Sequence, residues 1–154
     1  MKQQRTIFSI LLACLFSFVF AKKEEVLNFH SYIEIKENGE LEILETIKVN
    51  IEGAIFKRGI YRELNTVYAA KNNLKYNVSY SIQNVKKDNA KEPFHIKKNN
   101  TSISIYVGDK NIQLPKGIYT YKIKYTTKNQ IGSYDEVDEL YWNVTGNNWA
   151  VPIK

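Results

Sequence analysis

FHSYIEIKENGELEILETIKVNI, residues Phe29 to Ile51, decides the fold. Phe29, Ile33 and Ile35 fall on one face of an extended chain, with Ser31 between them. Glu37-Asn38-Gly39 follows, and Asn-Gly is a strong short hairpin signal. Leu41, Ile43, Ile47, Val49 and Ile51 then share one face of a second extended run. Apolar residues at every second position indicate strands, so the stretch predicts a long β-hairpin. Glu45 stands where that face calls for an apolar residue. Two readings are open: a bulge or strand end that turns Glu45 to solvent, or a buried carboxylate that needs a partner.

The same period recurs downstream. Tyr76, Val78, Tyr80 and Ile82 alternate; Phe94 and Ile96 suggest a short strand; Ile103, Ile105 and Val107 form another. Tyr119, Tyr121, Ile123 and Tyr125 share a face, with Thr120, Lys122 and Lys124 opposite. Leu140, Trp142 and Val144 read as a last strand. Gly53 to Leu64, Lys86 to Lys91 and Asn129 to Val137 read as connections, and Asn99-Asn100, Gly108-Asp109 and Leu114 to Gly117 as turns. About seven strands with turn signals between them, and no convincing helix, predict an all-β, antiparallel, immunoglobulin-like β-sandwich. A Tyr just after Gly117, either Tyr119 or Tyr121, fits the tyrosine corner of such sandwiches.

The chain has 154 residues, room for one domain and one core. Met1 to Thr6 is basic, Ile7 to Phe20 is apolar apart from two serines, and Val19-Phe20-Ala21 resembles a cleavage site. That layout predicts a secretory signal over residues 1–21, as a helix, and an extracytoplasmic domain over 22–154. The apolar stretch is shorter than a spanning helix requires, although an uncleaved anchor is the alternative. The single Cys, Cys14, lies in the leader, so the domain has no disulfide, thiol nucleophile or thiolate metal site.

The formal net charge is +6. Residues 65 to 102 hold seven Lys against Asp88 and Glu92, which suggests ordinary solubilising charge or a basic face toward an anionic envelope polymer. No nucleic-acid-binding motif is present, and no nucleic-acid partner is expected. His30 and His95 alternate with apolar neighbours and should face solvent, with no group to orient either for catalysis. Asp135, Glu136, Asp138 and Glu139 lack calcium-loop spacing and read as a solvated acidic loop. No catalytic set, metal site or cofactor site is expected.

Two stretches support a family resemblance. Arg58-Gly59-Ile60-Tyr61-Arg62 resembles a "GIYR" signature, and Glu139-Leu140-Tyr141-Trp142-Asn143-Val144-Thr145-Gly146-Asn147-Asn148-Trp149-Ala150-Val151-Pro152-Ile153 is similar to "ELYWNVTGNxWxVPI". Asn38 to Thr46 resembles an "NGxLxVxET" opening. The family is the YciQ-like predicted membrane proteins, whose N-terminal domain has no assigned function.

The resemblance covers residues 26 to 153. It implies an exported β domain followed by membrane helices, and a sensing or interaction role of unknown partner. It suggests membrane association and a membrane-protein partner; an envelope polymer, met through the lysine-rich face, is the alternative partner. Relatives continue past the point where this chain stops, so the expectation is a sandwich short of its last strand or strands, with an unpaired edge. Glu45, Gly59, Tyr61, Arg62, Tyr141, Trp142, Asn143, Gly146 and Trp149 are the signature residues, read as structural candidates. Glu45 and Arg62 both fall in signatures, which points to a buried pair across the sandwich. Trp142 and Trp149 are expected to pack, with ligand stacking as the second reading.

Overall fold

The computed structural model describes residues 23–69, 75–134 and 136–154. The expected leader at 1–21 and Asp135 lie outside the described residues.

The hairpin forms from β1 (Glu25–Ile35) and β2 (Leu41–Ile51), paired antiparallel. Its turn is a three-residue loop rather than a two-residue one. Gly39 N–H donates to Lys36 O, Lys36 N–H donates to Glu40 O, and only Gly39 has a positive φ, +76°. This is a turn closed by a left-handed residue, the second commonest way to close a hairpin.

The remaining strands are β3 (Ile60–Asn65), β4 (Val67–Ala69), β5 (Lys75–Asn77), β6 (Tyr80–Lys87), β7 (Ala90–Lys91), β8 (Phe94–Lys98), β9 (Ser102–Val107), β10 (Gly117–Thr127), β11 (Ile131–Tyr134) and β12 (Val137–Leu140). The described residues contain no helix. The main sheet runs β1-β2-β10-β6-β7, a second runs β3-β9-β8, and β4-β5 and β11-β12 are small antiparallel pairs. All sheet pairings are antiparallel. Residues of the two larger sheets enter one core: Leu41, Ile43, Ile47 and Ile123 from the first, Ile60, Leu64, Ile103 and Ile105 from the second.

The strand count exceeds the expected seven for four local reasons. The expected strand from Tyr76 to Ile82 breaks at Val78-Ser79 into β5 and β6, and β4 pairs with β5. Residues 60–65, read above as connection, form β3. Its inward positions are Ile60, Arg62 and Leu64, and the cation at the centre hides the period. Residues 131–140, read largely as loop, make a hairpin whose Gly132, Ser133 and Asp138 carry no apolar alternation. The run from Lys86 turns over Asp88 and Asn89, both left-handed, into β7. Conversely, Leu140 to Val144 is not a strand: β12 ends at Leu140, and Trp142 and Val144 lie in irregular chain. The chain end does find a partner. Ile153 bridges Val26 in parallel, with Val26 N–H donating to Pro152 O and Lys154 N–H to Val26 O. An exposed edge occurs at β8, where Phe94 and Ile96 are solvent-exposed.

Of the two tyrosines after Gly117, Tyr119 reaches back to the preceding turn. Its hydroxyl donates to Pro115 O at 2.9 Å, four residues upstream. Tyr121 is buried, and its hydroxyl has no hydrogen-bond partner among the described residues.

Candidate functional site: a buried ion pair beneath the last signature

The inward face of β2 is apolar except for Glu45, which is 0% exposed. β2 pairs with β10 so that Glu45 stands opposite Ile123, flanked by Tyr121 and Tyr125. Arg62 enters from β3 in the other sheet and is 2% exposed. Arg62 Nε donates to Glu45 Oε2 at 2.8 Å and Nη2 to Oε1 at 2.7 Å, a bidentate pair. Tyr125 Oη donates to Glu45 Oε1 at 2.7 Å.

The guanidinium's remaining donors go to backbone. Nη1 reaches Glu63 O at 3.1 Å and Thr145 O at 2.9 Å, and Nη2 also reaches Val144 O at 3.3 Å. Every N–H of the guanidinium therefore has an acceptor, the condition under which attraction offsets the desolvation of a buried ion. The ring of Phe29 lies 5.4 Å from Arg62 Cζ and covers one face of the cation. Burial alone lowers the guanidinium's proton affinity, but the Glu45 carboxylate outweighs it and holds Arg62 above its ordinary value. Burial, then the charge of Glu45, raises the Tyr125 hydroxyl well above its ordinary value, so it stays a donor.

Arg62 thus joins three parts of the chain: β2, β3 and the loop of the last signature. That loop is shaped for the contact. Gly146 has φ +73°, and a Cβ there would meet Arg62 Nη1 at 2.1 Å. Asn143 Oδ1 accepts from Gly146 N–H at 2.9 Å. Trp149 Nε1 donates to Thr145 O at 2.9 Å, and its ring meets Phe29 edge-on at 6.0 Å.

Glu45, Arg62, Asn143, Gly146 and Trp149 are therefore gathered in one place. Trp142 is half-buried nearby, its Nε1 without a partner among the described residues. Gly59 and Tyr61 lie along a neighbouring groove that Trp149 also lines. Tyr141 stands apart, 78% exposed, and lines a separate cavity of about 690 Å³ with Tyr68 and Tyr76.

His30 and His95 are exposed. Among the described residues no group of His, Cys, Asp or Glu is arranged to hold a metal ion, and no helix is long and apolar enough to cross a membrane.

Two acids escaped the sequence reading. Glu63 accepts from Ser102 Oγ, Tyr61 Oη and Asn148 Nδ2, linking β3, β9 and the last signature. Glu24 is 6% exposed, and its carboxylate accepts backbone N–H groups of Glu52, Gly53, Ala54 and Ile55. Neither is marked out by its spacing; Glu24 stands beside Glu25 just ahead of β1, and only the folded loop shows its partners. Burial raises the Glu24 carboxyl, but the backbone donors outweigh it and hold it below its ordinary 4.5. Glu63 is lowered by the hydrogen bonds from Ser102 and Tyr61.

A lowered carboxyl stabilises the fold at pH values above its unfolded value and loses that contribution as pH falls through its folded value. Glu24→Gln is therefore expected to lower the melting temperature at pH 7. The gap from the parent should narrow toward pH 3, which thermal melts across pH 3–7 will measure. A constant gap would show that the charge of Glu24 contributes nothing.

The described residues are all-β, and the buried ion pair binds the last signature to the core. The family model that matches residues 25–154 describes the N-terminal domain of a predicted membrane protein, DUF2207, and the chain belongs to that family. It is similar to the uncharacterized protein YciQ of Escherichia coli (strain K12), at 33% identity over 153 residues covering 94% of this chain. The chain spans 24% of that relative's length. No solved structure matches it.

Proposed function

We propose that this chain is the extracytoplasmic, non-enzymatic sensing or interaction domain of a membrane protein, folded as an immunoglobulin-like sandwich behind a secretory signal at residues 1–21. The observation that carries the reading is how the buried charges are used. Glu45 and Arg62 satisfy each other, Tyr125 and backbone carbonyls. They tie the last signature to the core, and both side chains are committed to each other rather than open to a substrate. A rigid β scaffold presenting loops and grooves is suited to recognition.

Fusion of alkaline phosphatase after Lys154, expressed in bacteria, tests the location. Activity is expected, and it should be abolished by deleting residues 7–20. An inactive phosphatase fusion paired with an active β-galactosidase fusion would overturn export.

A second reading, an accessory domain that binds anionic envelope polymer through a lysine-rich face, is favoured by one row of the main sheet. Lys91, Lys86 and Lys122 are directly opposite one another across β7, β6 and β10. Like charges in register repel, and no ion pair among the described residues relieves them. Salt-sensitive retention of the chain on an anionic polymer, lost in Lys86→Glu, would support this second reading.

A further inference from the structure

The outward face of the β3-β9-β8 sheet carries an aromatic row. Tyr61, Tyr106 and His95 are opposite one another across the three strands. The His95 and Tyr106 rings are stacked at 4.8 Å and 3°, and Tyr61 meets Tyr106 at 5.1 Å. At the end of this row the backbones of Gly59 and Gly108 touch, so no side chain fills the floor there. A groove of about 410 Å³ opens between the row and Trp149. That lies within the usual range of small-ligand sites, roughly 300–1,000 Å³.

The mouth of the groove is basic. Lys57, Arg58 and Lys110 line it and are exposed, and none has an ion-pair partner among the described residues. Lys97 Nζ lies 5.1 Å over the Tyr106 ring. The acid of the mouth, Asp109, accepts from Asn111 N–H with Oδ1. Flat rings favour a ligand with an apolar face, and unpaired cations favour an anionic group on the same ligand.

We infer that this groove binds an anionic sugar, its ring held between Trp149 and the rim of the His95–Tyr106 stack and its carboxylate or phosphate on Arg58 and its neighbouring lysines. The assignment of a sugar rests on the exported-domain reading, which places the groove among envelope glycans. The groove shares no residue with the lysine row of the main sheet and is a separate site.

The test is an NMR titration of the full 154-residue chain with glucuronic acid and with glucose 6-phosphate; glucose, inorganic phosphate and AMP are the controls. Both anionic sugars are expected to shift amides of residues 57–61 and 106–110 saturably. Glucose and phosphate should bind at least about tenfold more weakly, since each offers only one of the two recognised features. Arg58→Ser and His95→Ala, both at exposed positions, should each weaken sugar-acid binding about tenfold while the thermal melt stays unchanged. Absence of saturable shifts in the groove, tighter binding of AMP than of either sugar acid, or unaltered binding by both variants would overturn the assignment. Binding in solution is independent of the phosphatase fusion, so failure here leaves the export reading standing, and the reverse.

Discussion

Arg62→Met is expected to cost on the order of 3–5 kcal/mol of folding free energy, measured by urea unfolding. The substitution keeps much of the side-chain volume but leaves Glu45 as an ionised carboxylate at 0% exposure with only Tyr125 Oη as a donor. It also removes the guanidinium from Val144 O and leaves Thr145 O with the Trp149 indole as its side-chain donor. Glu45→Gln should cost a comparable amount, because the buried guanidinium then lacks its counter-charge. The double variant Glu45→Leu/Arg62→Met should recover part of the loss, since replacing both ions removes the uncompensated charge. Recovery should stay incomplete because Tyr125 Oη loses its acceptor and Val144 O its guanidinium donor. Single variants that each shift stability by less than about 1 kcal/mol would show that the pair is solvated in solution.

Gly59→Ala is expected to cost about 3 kcal/mol or more. Gly59 has φ +144°, a conformation side chains rarely adopt, and a Cβ would stand 1.7 Å from Val107 O. The contact is reciprocal: at Gly108, φ +126°, a Cβ would stand 1.9 Å from Arg58 O. Both obstacles are backbone, so no side-chain rotation relieves them, and β3 must separate from β9. Gly39→Ala is the control. Its φ of +76° is also unfavourable, but nothing lies within 4 Å, so its cost should stay near 1–2 kcal/mol. Equal melting temperatures for the two variants would show that the β3–β9 junction yields easily.

The all-β class was legible because β2 and β10 bury alternate side chains and β9 alternates Ile103, Ile105 and Val107 with Ser102, Ser104 and Tyr106, and alternation survives in sequence. Glu45 was legible as an anomaly for the same reason: a charge inside an apolar period has few physical explanations. β3 was hidden by the reverse effect. Arg62 occupies an inward position, and a three-position face with a cation at its centre does not read as a strand. The irregular chain after Leu140 was misread as a strand because Leu140, Trp142 and Val144 alternate. Gly146 and Asn143 instead turn that segment so that its carbonyls face Arg62. The roles of Tyr125 and Glu24 depend on neighbours brought together across the chain, which spacing does not encode.

The bridge between Val26 and Ile153 has a bearing on when the domain can fold. The hairpin of β1 and β2 is local and can close as soon as Ile51 is synthesised. The contacts that complete the core join positions 62 to 145 and 26 to 153, near the two ends of the described chain. Closing loops of that length is entropically costly and slows folding relative to local pairing. Until residues 144–153 emerge, Arg62 has no acceptors from the last signature, and the first strand lacks its final neighbour. A nascent chain therefore reaches this arrangement only once residues 144–153 have been made, long after its first hairpin can close.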